Sequence, residues 1–155
     1  MNILSFSAPT SKLFVSILEW LLLGICLACV GLFVFSAYEK LAEHRRFANG
    51  LSNAAYIGNI GSLLAWAVPV AELGIAALLI LPGTKRYGLY AFASLMLLFT
   101  LYILIMLQLG EKFPCHCNLI VEQLSWPQHI WFNLGFVALA ICGLWLNKKL
   151  KSLQQ

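Results

Sequence analysis

Charge is what this 155-residue chain has least of: Asp, Glu, Lys and Arg together make up 10% of it, against 61% hydrophobic residues. A soluble domain carries roughly a quarter charged residues to solvate its surface, so that class is excluded. Strand patterning is also missing, as are internal repeats and low-complexity segments. No small-residue cleavage site follows the first apolar run, which is too long for a signal-peptide core, so that run is expected to remain as a membrane span. The stretch Cys26-Leu27-Ala28-Cys29 lacks the leucine of a lipoprotein site three residues before Cys29.

What is present is a set of apolar stretches, at about 14–37, 64–81, 88–109 and 130–146. A span needs about 20 mostly apolar residues, because the hydrocarbon core is about 30 Å thick and a helix rises about 1.5 Å per residue. Helices are the only open-ended elements that satisfy their own backbone in lipid. The expected fold is therefore all-α, an integral membrane four-helix bundle, with residues 1–155 forming a single transmembrane domain. The lipid bilayer is its first partner. No nucleic-acid partner is expected, and the sequence does not give the oligomeric state.

Four spans place the N-terminus, the 82–87 loop and the C-terminus on one side. The 38–63 and 110–129 segments share the other. Lys12, Lys85, Arg86, Lys148, Lys149 and Lys151 stand on the first side, and Lys40, Arg45, Arg46 and Lys112 on the second. Positive charge marks the cytoplasm. Both termini are thus expected to be cytoplasmic, as in a bacterial inner membrane, with the 110–129 loop in the periplasm, where thiols can be oxidised. The segment after the first span is helical in character to about Ala48, which suggests a helix running past the membrane and then a loop or short surface helix. His44-Arg45-Arg46 reads as a solvated face rather than a lipid-headgroup site.

The 110–129 loop carries EKFPCHCNLIVEQLSW, residues 111–126, in which Cys115 and Cys117 flank His116. Cysteines separated by one residue can close a tight, strained disulfide, which is a better oxidant than a structural one. A protonated histidine beside them favours the reactive thiolate. A redox or structural disulfide ranks ahead of a metal site and of unpaired thiols, because zinc sites space their ligands more widely and no second Cys/His cluster is present. No haem-attachment motif is present either. Cys26 and Cys29 have the C-x-x-C spacing but sit mid-span, where small residues at i and i+3 are more often packing positions; a buried relay toward a lipid-soluble acceptor is the alternative. Cys142 reads as packing.

Glu72 interrupts the second span. An ionised carboxylate there is expensive, so Glu72 is either functional, as a proton relay or a quinone-headgroup ligand, or a helix–helix hydrogen bond. Pro69, one turn earlier, frees a backbone carbonyl beside it. Glu19 lies near the span edge and reads as structural. Downstream, Ser125 is a plausible cap and Pro127 fits the first turn of the last helix. Trp126 and Trp131 suit the interfacial belt. Asn133 falls just inside the membrane.

Taken in order, these motifs resemble the methylamine utilisation protein MauE family and, more broadly, the DoxX-like membrane proteins. The DoxX-like part is GLFVFSAYEKLAEHRRFANGL, with its Lys40-Leu41 pair and Phe47, followed by PVAELGIAALLIL, with Pro69 and Glu72. The MauE-like part is the C-x-C loop, then Ser125-Trp126 and Asn133. The family's cysteine pair is typically embedded among glycines, whereas His116 and Asn118 stand here. The resemblance implies a four-helix integral membrane protein linked to methylamine utilisation, assisting disulfide formation or maturation of a periplasmic redox protein. DoxX-like relatives imply quinone-linked oxidation of sulfur compounds. The leading expectation is a thiol-disulfide oxidoreductase: Cys115 and Cys117 exchange with a periplasmic thiol protein, His116 tunes them, and electrons pass to a quinone near Glu72. A non-enzymatic assembly or anchoring subunit is the alternative, and a small-solute transporter using Glu72 is the third.

Overall fold

A computed structural model describes residues 9–52, 58–81, 83–109 and 126–154. The elements are α1 (Pro9–Ala42), α2 (His44–Ser52), a 3-10 turn (Gly58–Ile60), α3 (Gly61–Ile80), α4 (Lys85–Leu109) and α5 (Trp126–Gln154). No strand occurs among the described residues. Helices α1, α3, α4 and α5 are each long and apolar enough to cross a membrane, so the chain is the expected all-α four-span bundle. α1 outruns the 14–37 stretch at both ends. α5 continues past Leu146 through the lysine-rich tail, where Leu150 is still buried.

The spans form a ring in the order α1, α3, α4, α5: α1 packs on α3, α3 on α4, α4 on α5, and α5 back on α1. Each turns one stripe inward with the three- and four-residue spacing of a helix face. On α1 the stripe is Leu18, Leu22, Cys26, Cys29 and Phe33; on α3 it is Ala65, Pro69, Glu72, Ala76 and Leu79. The outer faces expose Trp20, Leu63, Val70, Leu98 and Trp131, as lipid contact requires. Lipid tails are as apolar as leucine, so the helices associate through close packing rather than water exclusion. A methyl group on Gly143 would come within 3.2 Å of Ile25 and Leu89, and one on Gly88 within 3.0 Å of Leu79.

α1 and α2 meet at Glu43, whose carbonyl accepts from the amides of Arg46 and Phe47. The short α2 is amphipathic. Phe47 and Leu51, one turn apart, pack on Leu64, Ala65 and Val68 of α3, and the His44 ring lies 4.2 Å from that of Trp66. Arg45 and Arg46 face outward, Arg46 paired at 3.1 Å with exposed Glu43. The end of α2 runs so close to the start of α3 that a β-carbon on Gly61 would sit 2.6 Å from the Ser52 backbone nitrogen. Only glycine fits there.

At the opposite end, α3 turns into α4 through Gly83, whose φ of 88° is a left-handed conformation that favours glycine. The Thr84 hydroxyl fixes this turn by sharing its one proton between the carbonyls of Leu78 at 2.7 Å and Leu81 at 3.1 Å. The Leu78 carbonyl is among the acceptors that a helix C-terminus leaves unpaired, and that of Leu81 also accepts from the Thr84 amide at 3.4 Å.

Candidate functional site

The sequence-predicted triplet Cys115, His116 and Cys117 lies outside the described residues, as does Ser125. Of the predicted site residues, Glu72 is the one the structure describes, and its surroundings are specific. α1 carries Ser36 and Lys40 one turn apart on its inner stripe, below Cys29 and Phe33. α3 brings Glu72 opposite them. Side chains on a helix lean toward its N-terminus, so Lys40, two residues from the end of α1, reaches back into the bundle rather than out toward water.

The Lys40 ammonium donates to Glu72 Oε1 at 2.9 Å, and the Ser36 hydroxyl donates to the same oxygen at 3.0 Å. Lys40 also hydrogen-bonds Ser36 Oγ. Glu72 is 0% exposed and Lys40 8%. The ammonium faces two rings, 5.9 Å from the centroid of Phe47 on α2 and 5.7 Å from that of Phe99 on α4. Side chains of α1, α2, α3 and α4 thus gather around this ammonium. Glu72 Oε2 is buried and has no partner among the described residues.

A lone charge inside the bilayer is expensive, whereas a paired and hydrogen-bonded one is tolerated. Lys40 is the countercharge that a mid-span Glu72 demands. In the sequence Lys40 reads as a loop charge, because it follows the apolar run. Two signals could have found it: Ser36 and Lys40 continue the three-and-four spacing of Cys26, Cys29 and Phe33, and an isolated intramembrane acid requires a cation.

Cys26 and Cys29 are free thiols buried at 3% and 0% in the main core cluster. They pack with Leu22 and Phe33. Cys142 is exposed on the lipid-facing side of α5. Asn133 is buried on the inner stripe of α5, and Trp131 is exposed. Among the described residues, no group of three His, Cys, Asp or Glu side chains could hold a metal ion.

Four apolar spans in a closed ring around a buried ion pair define a multi-pass membrane protein of the helical-bundle class. The model of the methylamine utilisation protein MauE family matches residues 18–146, most of the chain, and the chain belongs to that family. It is therefore a membrane protein of a type linked to methylamine utilisation. No curated protein and no solved structure matches it significantly.

Proposed function

We propose that this chain is a bacterial inner-membrane protein whose Cys115 and Cys117 exchange thiol and disulfide with a periplasmic protein, supporting disulfide formation or maturation of a redox partner. The observation that carries this reading is topological. α4 ends at Leu109 and α5 starts at Trp126, so the cysteine segment leaves and rejoins the bundle at the end nearer the Ser36–Lys40–Glu72 cluster. A reactive loop gains from a fixed base, and the cluster ties α1 to α3, with Phe99 of α4 against it, at that end of the bundle. Family membership points the same way.

Orientation draws support from Lys40. With that residue buried in an ion pair, Arg45, Arg46 and Lys112 remain on the loop side against six basic residues on the terminal side. The positive-inside bias toward cytoplasmic termini is stronger than the sequence suggested.

The exchange is balanced without a further cofactor. A partner thiolate attacks one sulfur of the Cys115–Cys117 disulfide, forming a mixed disulfide and releasing the other cysteine as a thiolate. The partner's second thiolate then breaks the mixed disulfide. Two electrons have moved to the pair, its sulfurs take up two protons, and the partner leaves as a disulfide. The reverse exchange with an oxidised protein disulfide resets the pair. His116, when protonated, stabilises the departing thiolate.

Quinone coupling at Glu72 fits the geometry poorly. The carboxyl is fully enclosed: its Oε1 accepts from both Ser36 and Lys40, and its Oε2, without a partner among the described residues, is buried as well. In this reading Glu72 is the countercharge of Lys40 rather than a headgroup ligand, and no step runs through a quinone.

The test is a mixed-disulfide trap. Cys117→Ala removes the sulfur that would resolve an adduct on Cys115. A covalent, reductant-sensitive adduct to a second protein is expected on non-reducing gels, absent in the Cys115→Ala/Cys117→Ala variant. No adduct, in cells where the wild-type pair stays permanently oxidised, would favour the anchoring role, in which the disulfide only fixes the loop.

A further inference from the structure

The end of the bundle opposite the Lys40–Glu72 cluster holds a cleft of about 530 Å³ that the function proposed above does not use. Its walls come from three elements: Glu19 and Trp20 on α1, Lys85 and Arg86 on α4 with Gly83 in the turn before them, and Lys151 on α5. Three cations face one carboxylate.

Two of these cations stand at a helix end that is itself positive, Arg86 with its guanidinium 5.8 Å over the Tyr90 ring. Lys85 and Arg86 occupy the first turn of α4, where the backbone leaves unpaired N–H groups and the helix dipole is positive. That turn contains no acidic residue. Cations are disfavoured at this helix end, and Lys151 adds a third nearby. An anion between them would remove the repulsion and accept from both guanidinium and ammonium groups. The turn that presents them is held by the hydroxyl proton of Thr84, shared between the carbonyls of Leu78 and Leu81.

The remaining wall identifies the kind of anion. Trp20 is 71% exposed and Leu23, also in the wall, is 37% exposed, both on the apolar outer surface of α1 that runs down from the cleft along the span. A free inorganic anion has no use for that surface; a lipid does. We propose that the cleft binds an anionic phospholipid, with its phosphate among Lys85, Arg86 and Lys151 and its acyl chains along Trp20 and Leu23. Basic pockets between helices at the bilayer surface suit such headgroups. The site docks α1, α4 and α5 to one another through the lipid, at the end away from the Lys40–Glu72 pair.

Native mass spectrometry of the protein released from detergent micelles, with equimolar phosphatidylglycerol and phosphatidylcholine of identical acyl chains, tests this. Wild type is expected to retain phosphatidylglycerol about tenfold over phosphatidylcholine. Arg86→Gln/Lys151→Gln should bind the two alike, while the charge-conserving Arg86→Lys/Lys151→Arg keeps the preference. Both substituted residues are exposed, and unchanged helical circular dichroism verifies the fold. Should the double variant fail to fold, Arg86→Gln alone is expected to lose part of the preference. Equal retention of the two lipids by wild type would overturn the proposal, as would an undiminished preference in the glutamine variants. Displacement of phosphatidylglycerol by millimolar inorganic phosphate would also overturn it, by marking a free-anion site.

Discussion

Replacing Lys40 by methionine is expected to destabilise the bundle by about 3–5 kcal/mol, because it leaves the enclosed Glu72 carboxyl without a countercharge. Ser36 can still donate one hydrogen bond, but a hydroxyl does not neutralise a carboxylate. The companion variant Lys40→Met/Glu72→Met is expected to return to within about 1 kcal/mol of wild type, since well-packed apolar side chains often replace a buried pair without loss. Glu72→Met alone leaves Lys40 uncompensated and completes the double-mutant cycle, whose coupling energy is expected to lie well beyond the few tenths seen between independent sites. Reversible unfolding in mixed detergent micelles, followed by circular dichroism, measures all three. If Lys40→Met alone unfolds like wild type, the pair does not hold the helices.

Phe92→Ala is expected to be the most damaging substitution of an apolar residue. Phe92 is fully buried on α4, with its ring 4.3 Å from that of Phe33 on α1 and 6.2 Å from that of Phe136 on α5. α1 and α4 lie diagonally across the ring and touch little elsewhere, so this aromatic pair bridges the centre. A buried Phe→Ala in a soluble core costs about 3–5 kcal/mol, part of it transfer from water. In a bilayer the water-transfer part shrinks, because the unfolded helices already lie in lipid. What remains is the cavity and the lost ring contacts, so the expected loss is about 2–3 kcal/mol. Leu98→Ala, on the same helix but 60% exposed to lipid, is the control and should change stability by less than about 0.5 kcal/mol. A comparable loss in both variants would mean that α4 is not turned as described.

The four spans were legible in the sequence because each is a long apolar run with helical rather than alternating patterning. Glu72 was legible as a residue of consequence, since charge inside lipid always needs a reason. Its partner was missed for a physical reason. Lys40 sits where an apolar run ends, and a basic residue there ordinarily reaches for water. Here α1 continues to Ala42, and the lysine stem folds back along the inner stripe to meet Ser36 and Glu72. Apolar run length located the membrane but not the end of the helix. The C-terminal lysines show the same thing, since α5 continues through them with Leu150 turned inward. The buried position of Cys26 and Cys29 follows from their i, i+3 spacing on the stripe that also holds Leu22 and Phe33. The cleft at Lys85 and Arg86 was visible in sequence only as part of a charge count, because α1, the α3–α4 turn and α5 must fold together before its walls face one another.

The proposed role of the loop stands or falls on the redox state of its two cysteines in living cells. Differential alkylation with light reagent before reduction and heavy reagent after it, read by mass spectrometry on the peptide containing Cys115 and Cys117, reports that state directly. The account predicts a pair that is largely heavy-labelled, and so oxidised, in cells grown with oxygen, and that shifts to light label when reduced partner protein accumulates. Full light labelling of both cysteines in aerobic cells would contradict it.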